Sequence, residues 1–544
     1  MTDSPHSLWP EQGTRRPQLL LLLAFALTLG FSFQGARGVW EPDEGSYIPI
    51  AAAMYDSGDL LIPRLSGEPF LDKPPLTYWC MVAGMWLFGR NEFGARAYHA
   101  LCFAGTALLV SLLASSFWGR RDGLLAGLIY ATMLAPLVAG NVVTPDTPLA
   151  LWVAAAFYCC WRSLAAYGKQ AGVWKVLLCV ALGLGFLTKG PAVLVFAGAM
   201  FVCLAIQRRL VEFFITPWAV PGFILFCAIA LPWYWAIGKA LPRGLAFMWE
   251  NQVTGRLVTA HYGRHPEFLG AISVYGPMLF GGSLPWTLSW PTILLRARGT
   301  KWWRWQFIRE RPALLFLLCW AVFPLLVFCL ASSKLELYLL PAFPALALLT
   351  ARGLSRLVLK PVGTDTLPQP PPRRGREWGE GPCRSWLSAA TGPGLPPRLL
   401  LALGVYAIIM LGVKLGAAYV PNQKDSRAMW QAIQGHLPDG SCPILAVDIK
   451  LSGVDFYCTN PVYTLDRSPP QGLFFSEAKQ YEEELKATAA SEAPRVFVVA
   501  RPEPKLPIRA KLRALGVGFD EHPLPFGRAL IVCKPTSPVP RQVR

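Results

Sequence analysis

Charge is what this sequence has least of. Only 15% of its 544 residues are Asp, Glu, Lys or Arg, against about 25% in an ordinary soluble domain. A chain so poor in charge cannot coat a cytosolic globule. With 53% hydrophobic residues and a mean hydropathy of +0.37 it is not a disordered chain either. It also lacks a phosphate-binding glycine motif, an internal repeat and any cysteine pair with zinc-site spacing. What it has in quantity is apolar sequence, with 21 Trp and 49 Pro. That composition suits many membrane spans with interfacial anchors and breaks between them. Lys and Arg number 51 against 33 Asp and Glu, a net charge of +18. In a soluble protein such an excess raises nucleic acid as a partner. In a membrane protein it sits on cytoplasmic loops facing anionic lipid, so membrane lipids and no nucleic acid are expected here.

Runs of about 20 apolar residues predict spans near 17–33, 94–118, 123–140, 146–162, 173–188, 190–207, 217–238, 269–293, 313–331, 335–351 and 399–420. Two short apolar stretches raise the expected range to about 11–13. The first run follows Arg15-Arg16 and precedes no small-x-small cleavage site, so a retained helix is expected rather than a signal peptide. The basic residues set the direction. With the N-terminus in the cytoplasm, the inner loops carry Arg120-Arg121, Arg162/Lys169/Lys175, Arg208-Arg209, Arg296 to Arg311, and Arg352 through Arg398. The outer loops at 140–146 and 331–335 carry almost none. Loops 34–93 and 239–268 and the C-terminus then also fall outside.

The domain organisation follows. Residues 1–359 read as a transmembrane catalytic domain, 360–398 as a disordered cytoplasmic linker rich in Pro, Gly and Arg, and 399–420 as the last span. Residues 421–544 alternate short apolar runs with helical patterns and predict a small extracytoplasmic α/β domain. Most of the 13 cysteines lie in apolar runs and act there as small hydrophobes. Cys442 and Cys458 lie outside them, where an oxidising compartment would allow them to pair. The fold class expected is therefore membrane all-α with a small C-terminal α/β domain.

The most informative stretch is Trp40-Glu41-Pro42-Asp43-Glu44-Gly45-Ser46-Tyr47. Pro49 has no backbone N–H, so a helix is predicted from near Ser46 to Gly58. Tyr47, Ile50, Ala51, Met54 and Tyr55 would share one face of an amphipathic helix lying on the membrane. Asp43 and Glu44 would stand at its N-terminus, where an acidic pair is also simply favourable to a helix dipole. Further on, Lys73 stands between Asp72 and Pro74-Pro75, before an apolar helix. The prolines fix the backbone and aim the ammonium, although a boundary lysine commonly just snorkels.

In these motifs the sequence resembles the ArnT-like membrane glycosyltransferases, which move aminoarabinose onto lipid A and are relatives of the protein O-mannosyltransferases. The resemblance runs through Asp43-Glu44-x-x-Tyr47, Gly58-Asp59 to Gly67, Lys73-Pro74-Pro75-Leu76-x-Tyr78-Trp79 and Phe88 to Arg96. It continues at Thr144 to Pro148, Thr188 to Pro191, His265 to Phe268, Leu284 to Trp286 and Ser333 to Pro341. It implies a GT-C type multispanning fold with its site facing the outer compartment, using a sugar on a polyprenyl phosphate. Asp43 matches the family's functional aspartate in the first outer loop, and Asp146 that of the next. Lys73 matches the lysine expected to hold the carrier phosphate, and Tyr338 the tyrosine of the late outer loop.

Three departures stand out. Ser46 occupies the place of a frequent arginine, Asp72 that of a glutamate, and both His261 and His265 are present, of which His265 precedes Pro266 and Phe268. No cofactor is expected to be required. A divalent cation held by Asp72 and His265 is the one metal arrangement implied, and the shorter Asp72 works against it.

The chemistry of the residues agrees with the resemblance. A lipid-phosphate sugar carries its own leaving group, so cations must stabilise departing phosphate and no general acid is needed. Lys73 comes first among them, then Arg64, Arg256 and Arg264, each of which also suits a lipid headgroup. A carboxylate opposite orients or deprotonates the acceptor, the role expected of Asp43, with Glu44 and Asp146 in support. Lys189 either meets lipid phosphate or marks a turn. The expected function is an inverting transferase moving a monosaccharide from undecaprenyl phosphate onto lipid A or another envelope glycolipid, at the periplasmic face of a bacterial inner membrane. One alternative is mannosyl transfer to protein hydroxyls. Another, from a different class, is a lipid-linked sugar transporter or flippase, which would place ionisable residues near the midplane and show inverted repeats.

Overall fold

The computed structural model describes residues 15–250, 267–298, 304–358, 395–438, 443–447, 449–458, 462–465, 481–491, 494–500 and 507–534. The linker expected at 360–398 lies outside the described residues except for its last four. After α1 (Arg15–Phe31) the chain leaves the bundle for α2 (Asp43–Ser57), the two-stranded hairpin β1 (Arg64–Leu65) and β2 (Glu68–Pro69), and α3 (Leu76–Phe88). It then runs through α4 (Glu92–Trp118), α5 (Arg120–Thr132), α6 (Leu134–Ala139), α7 (Asp146–Ala165), α8 (Gly168–Lys189), α9 (Ala192–Ile206) and α10 (Leu210–Phe214). Next come α11 (Ala219–Ala230), α12 (Pro232–Ala240), α13 (Gly244–Trp249), α14 (Phe268–Gly282), α15 (Trp290–Ala297), α16 (Trp305–Arg309), α17 (Pro312–Leu330), α18 (Phe343–Val358) and α19 (Pro397–Gly416).

Among the described residues, seven helical segments are long and apolar enough to cross a membrane, and four shorter apolar helices accompany them. The chain is a multi-pass membrane protein. Two predicted spans are broken. The stretch 123–140 divides at Met133, where Leu134 N–H leaves the helix ladder for the Leu284 carbonyl at 3.0 Å. The stretch 217–238 divides at Leu231 because Pro232 cannot donate. One continuous core fills the bundle, with Phe157 stacked on Trp320 at 3.9 Å between centroids. Trp320 Nε1 donates to the Pro341 carbonyl and so fixes the turn that follows α17.

Beyond α19 lies a five-stranded sheet, order β4-β3-β5-β7-β6, made of β3 (Ile444–Val447), β4 (Val462–Leu465), β5 (Arg495–Ala500), β6 (Phe519–Leu524) and β7 (Arg528–Cys533). β3 pairs in parallel with β4 and β5, while β7 runs antiparallel to β5 and β6. Alternation decides its two faces. Leu445, Val447, Phe497 and Val499 pack with Leu485, Ile508 and Leu512 on one side. Ile444, Ala446, Val496 and Val498 pack with Met429 and Ile433 on the other. The sheet is thus covered by helices on both sides, as an α/β layer requires.

This domain docks on the 34–93 segment. Trp40 bridges Asp425, Glu41 N–H donates to the Lys424 carbonyl at 2.9 Å, and Ser426 N–H donates to the Val39 carbonyl at 2.9 Å. Around that backbone seam, Arg427 pairs with Glu92, Tyr457 Oη donates to Glu92 at 2.8 Å, and Ser66 Oγ donates to Asp455 at 2.8 Å.

Helix α2 departs from its expected form. It starts at Asp43 rather than near Ser46, and Ile48, Ile50, Ala51, Ala52 and Met54 are all buried. It is packed between α3 and the 3-10 turn Ser452–Phe456 of the C-terminal domain, with Phe456 in the same cluster. It therefore has a second apolar face and is not a helix lying on the membrane. Gly58 closes it at φ +73°, a left-handed conformation that favours glycine.

Candidate functional site

The site is assembled where four chain reversals meet. Helices α7 and α8 are 20 and 22 residues long and form an antiparallel hairpin. Near-equal lengths return the end of α8 to the start of α7. Lys189, the last residue of α8, consequently meets Asp146, the first residue of α7, in an ion pair. Both side chains are nearly buried, at 8% and 7% exposure. The Lys189 ammonium also lies 5.0 Å from the Tyr338 ring, supplied by the 3-10 turn Glu336–Ala342. Lys189, which the sequence left undecided between a phosphate contact and a turn marker, thus meets both a carboxylate and an aromatic ring.

Asp43 is exposed at the start of α2, and it is brought to this cluster. Its carboxyl pKa is raised above the ordinary aspartate value, first by desolvation and next by the Asp146 carboxylate; Lys450 and Lys189 act in the opposite sense. Two acidic groups within electrostatic reach, with lysines beside them, make a place where one carboxyl holds its proton more tightly than usual. Lys450 comes from the C-terminal domain and carried no signal in the sequence beyond its charge.

Glu44, expected to act beside Asp43, has a different position. It is fully buried and bound by two guanidinium groups: Arg37 at 2.6 and 2.8 Å and Arg96 at 2.7 and 3.0 Å. Backbone N–H groups of Trp40 and Val143 also donate to it, at 3.1 Å each. The two arginines hold its carboxyl well below the usual carboxylate range despite burial. Such a carboxylate has no lone pair left for substrate, and its geometry is that of a brace joining α1, α2, α4 and the 140–146 loop. Below the loop, His99 Nε2 donates to the Thr144 carbonyl at 3.0 Å, which supports Asp146 from underneath.

Lys73 is 4% exposed and its ammonium meets the Asp72 carboxylate. Its segment lies against the α8 end: a Cβ added at Gly190 would come 3.4 Å from Tyr234 Oη and 4.0 Å from Pro74. Lys73-Pro74 is therefore adjacent to the Lys189-Gly190 turn. Trp79 and Trp233 hold the intervening loop by donating to the Leu60 and Leu61 carbonyls at 2.8 and 2.9 Å. Arg64 stays on the β1–β2 hairpin, 3.9 Å from Asp59 and 3.3 Å from the Gly67 carbonyl. Arg256, Arg264, His261 and His265 lie outside the described residues, as does Cys442.

No group of three or more His, Cys, Asp or Glu that could hold a metal occurs among the described residues. Asp72 is engaged by Lys73, so the donor set implied with His265 is not assembled from what is described. No step below passes through a metal.

A helical bundle with this polar cluster and a docked α/β domain is the GT-C type of membrane fold. Within that fold the chain is similar to ArnT. Its fold matches the crystal structure of ArnT from Cupriavidus metallidurans bound to undecaprenyl phosphate with a TM-score of 0.71, covering 95% of this chain and 98% of that one at 21% identity. In the apo state of the same protein the score is 0.69. The profile of the dolichyl-phosphate-mannose-protein mannosyltransferases matches residues 18–243. Undecaprenyl phosphate-alpha-4-amino-4-deoxy-L-arabinose arabinosyl transferases are similar in sequence. That of Serratia proteamaculans is 33% identical over 337 residues, 61% of this chain, and that of Yersinia enterocolitica is 33% identical over 336. The match spans 58% of the length of each of these relatives.

Proposed function

We propose that the chain is an inverting glycosyltransferase, moving a monosaccharide from undecaprenyl phosphate onto lipid A or another envelope glycolipid at the periplasmic face of a bacterial inner membrane. The observation that carries this reading is the meeting of Asp43 with the Asp146–Lys189 pair beside Lys73. The names of the similar arabinosyl transferases support the donor class. In the reaction the bond between the sugar's anomeric carbon and the carrier phosphate breaks, and its electron pair leaves with the phosphate. The acceptor oxygen bonds to the opposite face of that carbon. Lys73 and Lys189 stabilise the departing phosphate, Tyr338 fixes Lys189 through its ring, and Arg64, Arg256 and Arg264 are secondary phosphate contacts. Asp43 faces the acceptor, and a raised pKa makes it a stronger base than an ordinary aspartate.

Mannosyl transfer to protein hydroxyls is the second reading, favoured by the family profile over residues 18–243. One comparison separates the two. A hydroxyl acceptor needs its proton removed, a step worth typically about 10²–10⁴-fold, whereas a lipid A phosphate is already anionic and needs alignment. Asp43→Asn should nearly abolish transfer to a hydroxyl and leave measurable transfer to a phosphate. The assay is transfer from purified undecaprenyl-phosphate sugar with wild type, Asp43→Asn and Asp146→Asn. Unchanged rates for folded Asp43→Asn with either acceptor would end the assignment.

A further inference from the structure

A cavity of about 220 Å³ lies at the end of the bundle away from Asp43 and Asp146. It is walled by α1, α4, α5 and α7, and its α4 residues, Ser111 to Ser116, lie about 30 Å along that helix from Glu92. Its chemistry is one-sided. Arg120 and Arg162 line it, and none of its described lining residues carries a negative charge. The nearby carboxylate of Asp122 is turned to Arg352 at 3.1 Å and Ser355 at 2.6 Å. Arg162 is held in place, donating to Tyr158 Oη at 2.9 Å and lying 4.7 Å from the Trp174 ring. A guanidinium fixed in this way has little entropy to lose when it takes up a phosphate.

The serines refine the ligand. Ser115 and Ser116 donate their hydroxyl protons to the Ser111 and Leu113 carbonyls, each at 2.7 Å. Toward the cavity they therefore present lone pairs, which accept from hydroxyls and repel a bare phosphate. Leu112 adds an apolar wall. Fixed cations, hydroxyl acceptors and an apolar side together describe a glycerophosphate with further hydroxyls on its head. We infer that this cavity binds the headgroup of an anionic phospholipid of the phosphatidylglycerol type, drawn from the leaflet bordering the basic loops. The cavity is remote from the transfer site, and the inference does not rest on the proposed reaction.

Binding is read without turnover, as the thermal stability of the purified full chain in detergent on adding phosphatidylglycerol, phosphatidylcholine or inorganic phosphate. Phosphatidylglycerol should raise the melting temperature saturably and phosphatidylcholine should not. Arg120→Gln should weaken the apparent affinity about fivefold, the scale of one basic residue at an anionic lipid surface. Ser116→Leu, at an exposed position, should weaken it by filling the cavity while leaving the fold intact. Equal protection by the two lipids would overturn the inference, as would unchanged affinity in both variants. An equal response to inorganic phosphate would overturn the lipid headgroup in favour of a free anion.

Discussion

Asp43 and Glu44 are neighbours in the chain with opposite fates. One is exposed within electrostatic reach of Asp146, and the other is clamped by Arg37 and Arg96. The acidic pair itself was legible in the sequence, but its division of labour was not. The clamp joins Glu44 to arginines seven and 52 positions away, separations that no local pattern reports. Arg37 and Arg96 did carry a faint signal, being cations at the end of the bundle opposite Arg120-Arg121 and Arg208-Arg209. A stability test and an activity test separate the two kinds of residue. Glu44→Ala strands two buried guanidinium groups and should cost about 3–5 kcal/mol of stability, seen as a lower melting temperature in detergent. Lys73→Ala should remain folded yet transfer about 10²–10³-fold more slowly, the loss expected for one oxyanion-type donor. Lys73→Arg should recover only part, because a planar fork does not replace a point charge. Wild-type turnover in folded Lys73→Ala would reduce the lysine to an interfacial anchor.

At the scale of elements, the spans could be located from apolar runs, whereas the burial of α2 could not. Of its predicted face, Ile50, Ala51 and Met54 are buried and Tyr47 and Tyr55 half-buried, yet Ile48 and Ala52 are buried too. The second contact comes from a turn some 400 residues later in the chain, which periodicity within α2 cannot announce. The seam between them is acidic and desolvated. Glu41 accepts from Gly453 N–H at 2.5 Å, and burial pushes its pKa up to about 7, against the pull of Lys450 and Arg528. Asp455, under Ser66 Oγ and Val462 N–H, is pushed up by burial to about 6. A carboxyl whose pKa is higher in the docked state binds its proton more tightly there. Its contribution to docking is full below the ordinary carboxylate range and is lost as pH rises through the docked value. Docking of the C-terminal domain should therefore loosen between about pH 4.5 and pH 7. Hydrogen exchange along Ser452–Phe456 should quicken as the pH is raised through this window, after correction for the intrinsic rate. Glu41→Gln should flatten the response. A protection factor independent of pH in wild type would remove Glu41 and Asp455 from the docking equilibrium.

The whole molecule is ordered along one axis, with its charged residues divided between the two ends. Basic residues at Arg120-Arg121, Arg162, Lys175 and Arg208-Arg209 gather at one end, while Asp43, Asp146, Lys73 and the docked α/β domain gather at the other. Charge bias acts on insertion through short loops, so it orients the bundle before any site exists. The site's own lysines do not disturb that bias. Lys73 and Lys189 are each matched by an adjacent carboxylate, and the arginines at Glu44 share another. The site end is thus near neutrality despite its cations, and the opposite end keeps its excess. From this follows the final prediction. Helix α19, 20 residues long, spans about 30 Å and, among the described residues, is the apolar helix between residue 395 and the sheet domain. A reporter active only in the cytoplasm should work when fused at Gly363 and fail after Val420, and one active only outside should do the reverse. Both sites reporting the same side would deny α19 a crossing. It would leave the linker on the same side as the sheet domain, which its seam to Trp40, Glu41 and Ser66 keeps on the side of the 34–93 segment.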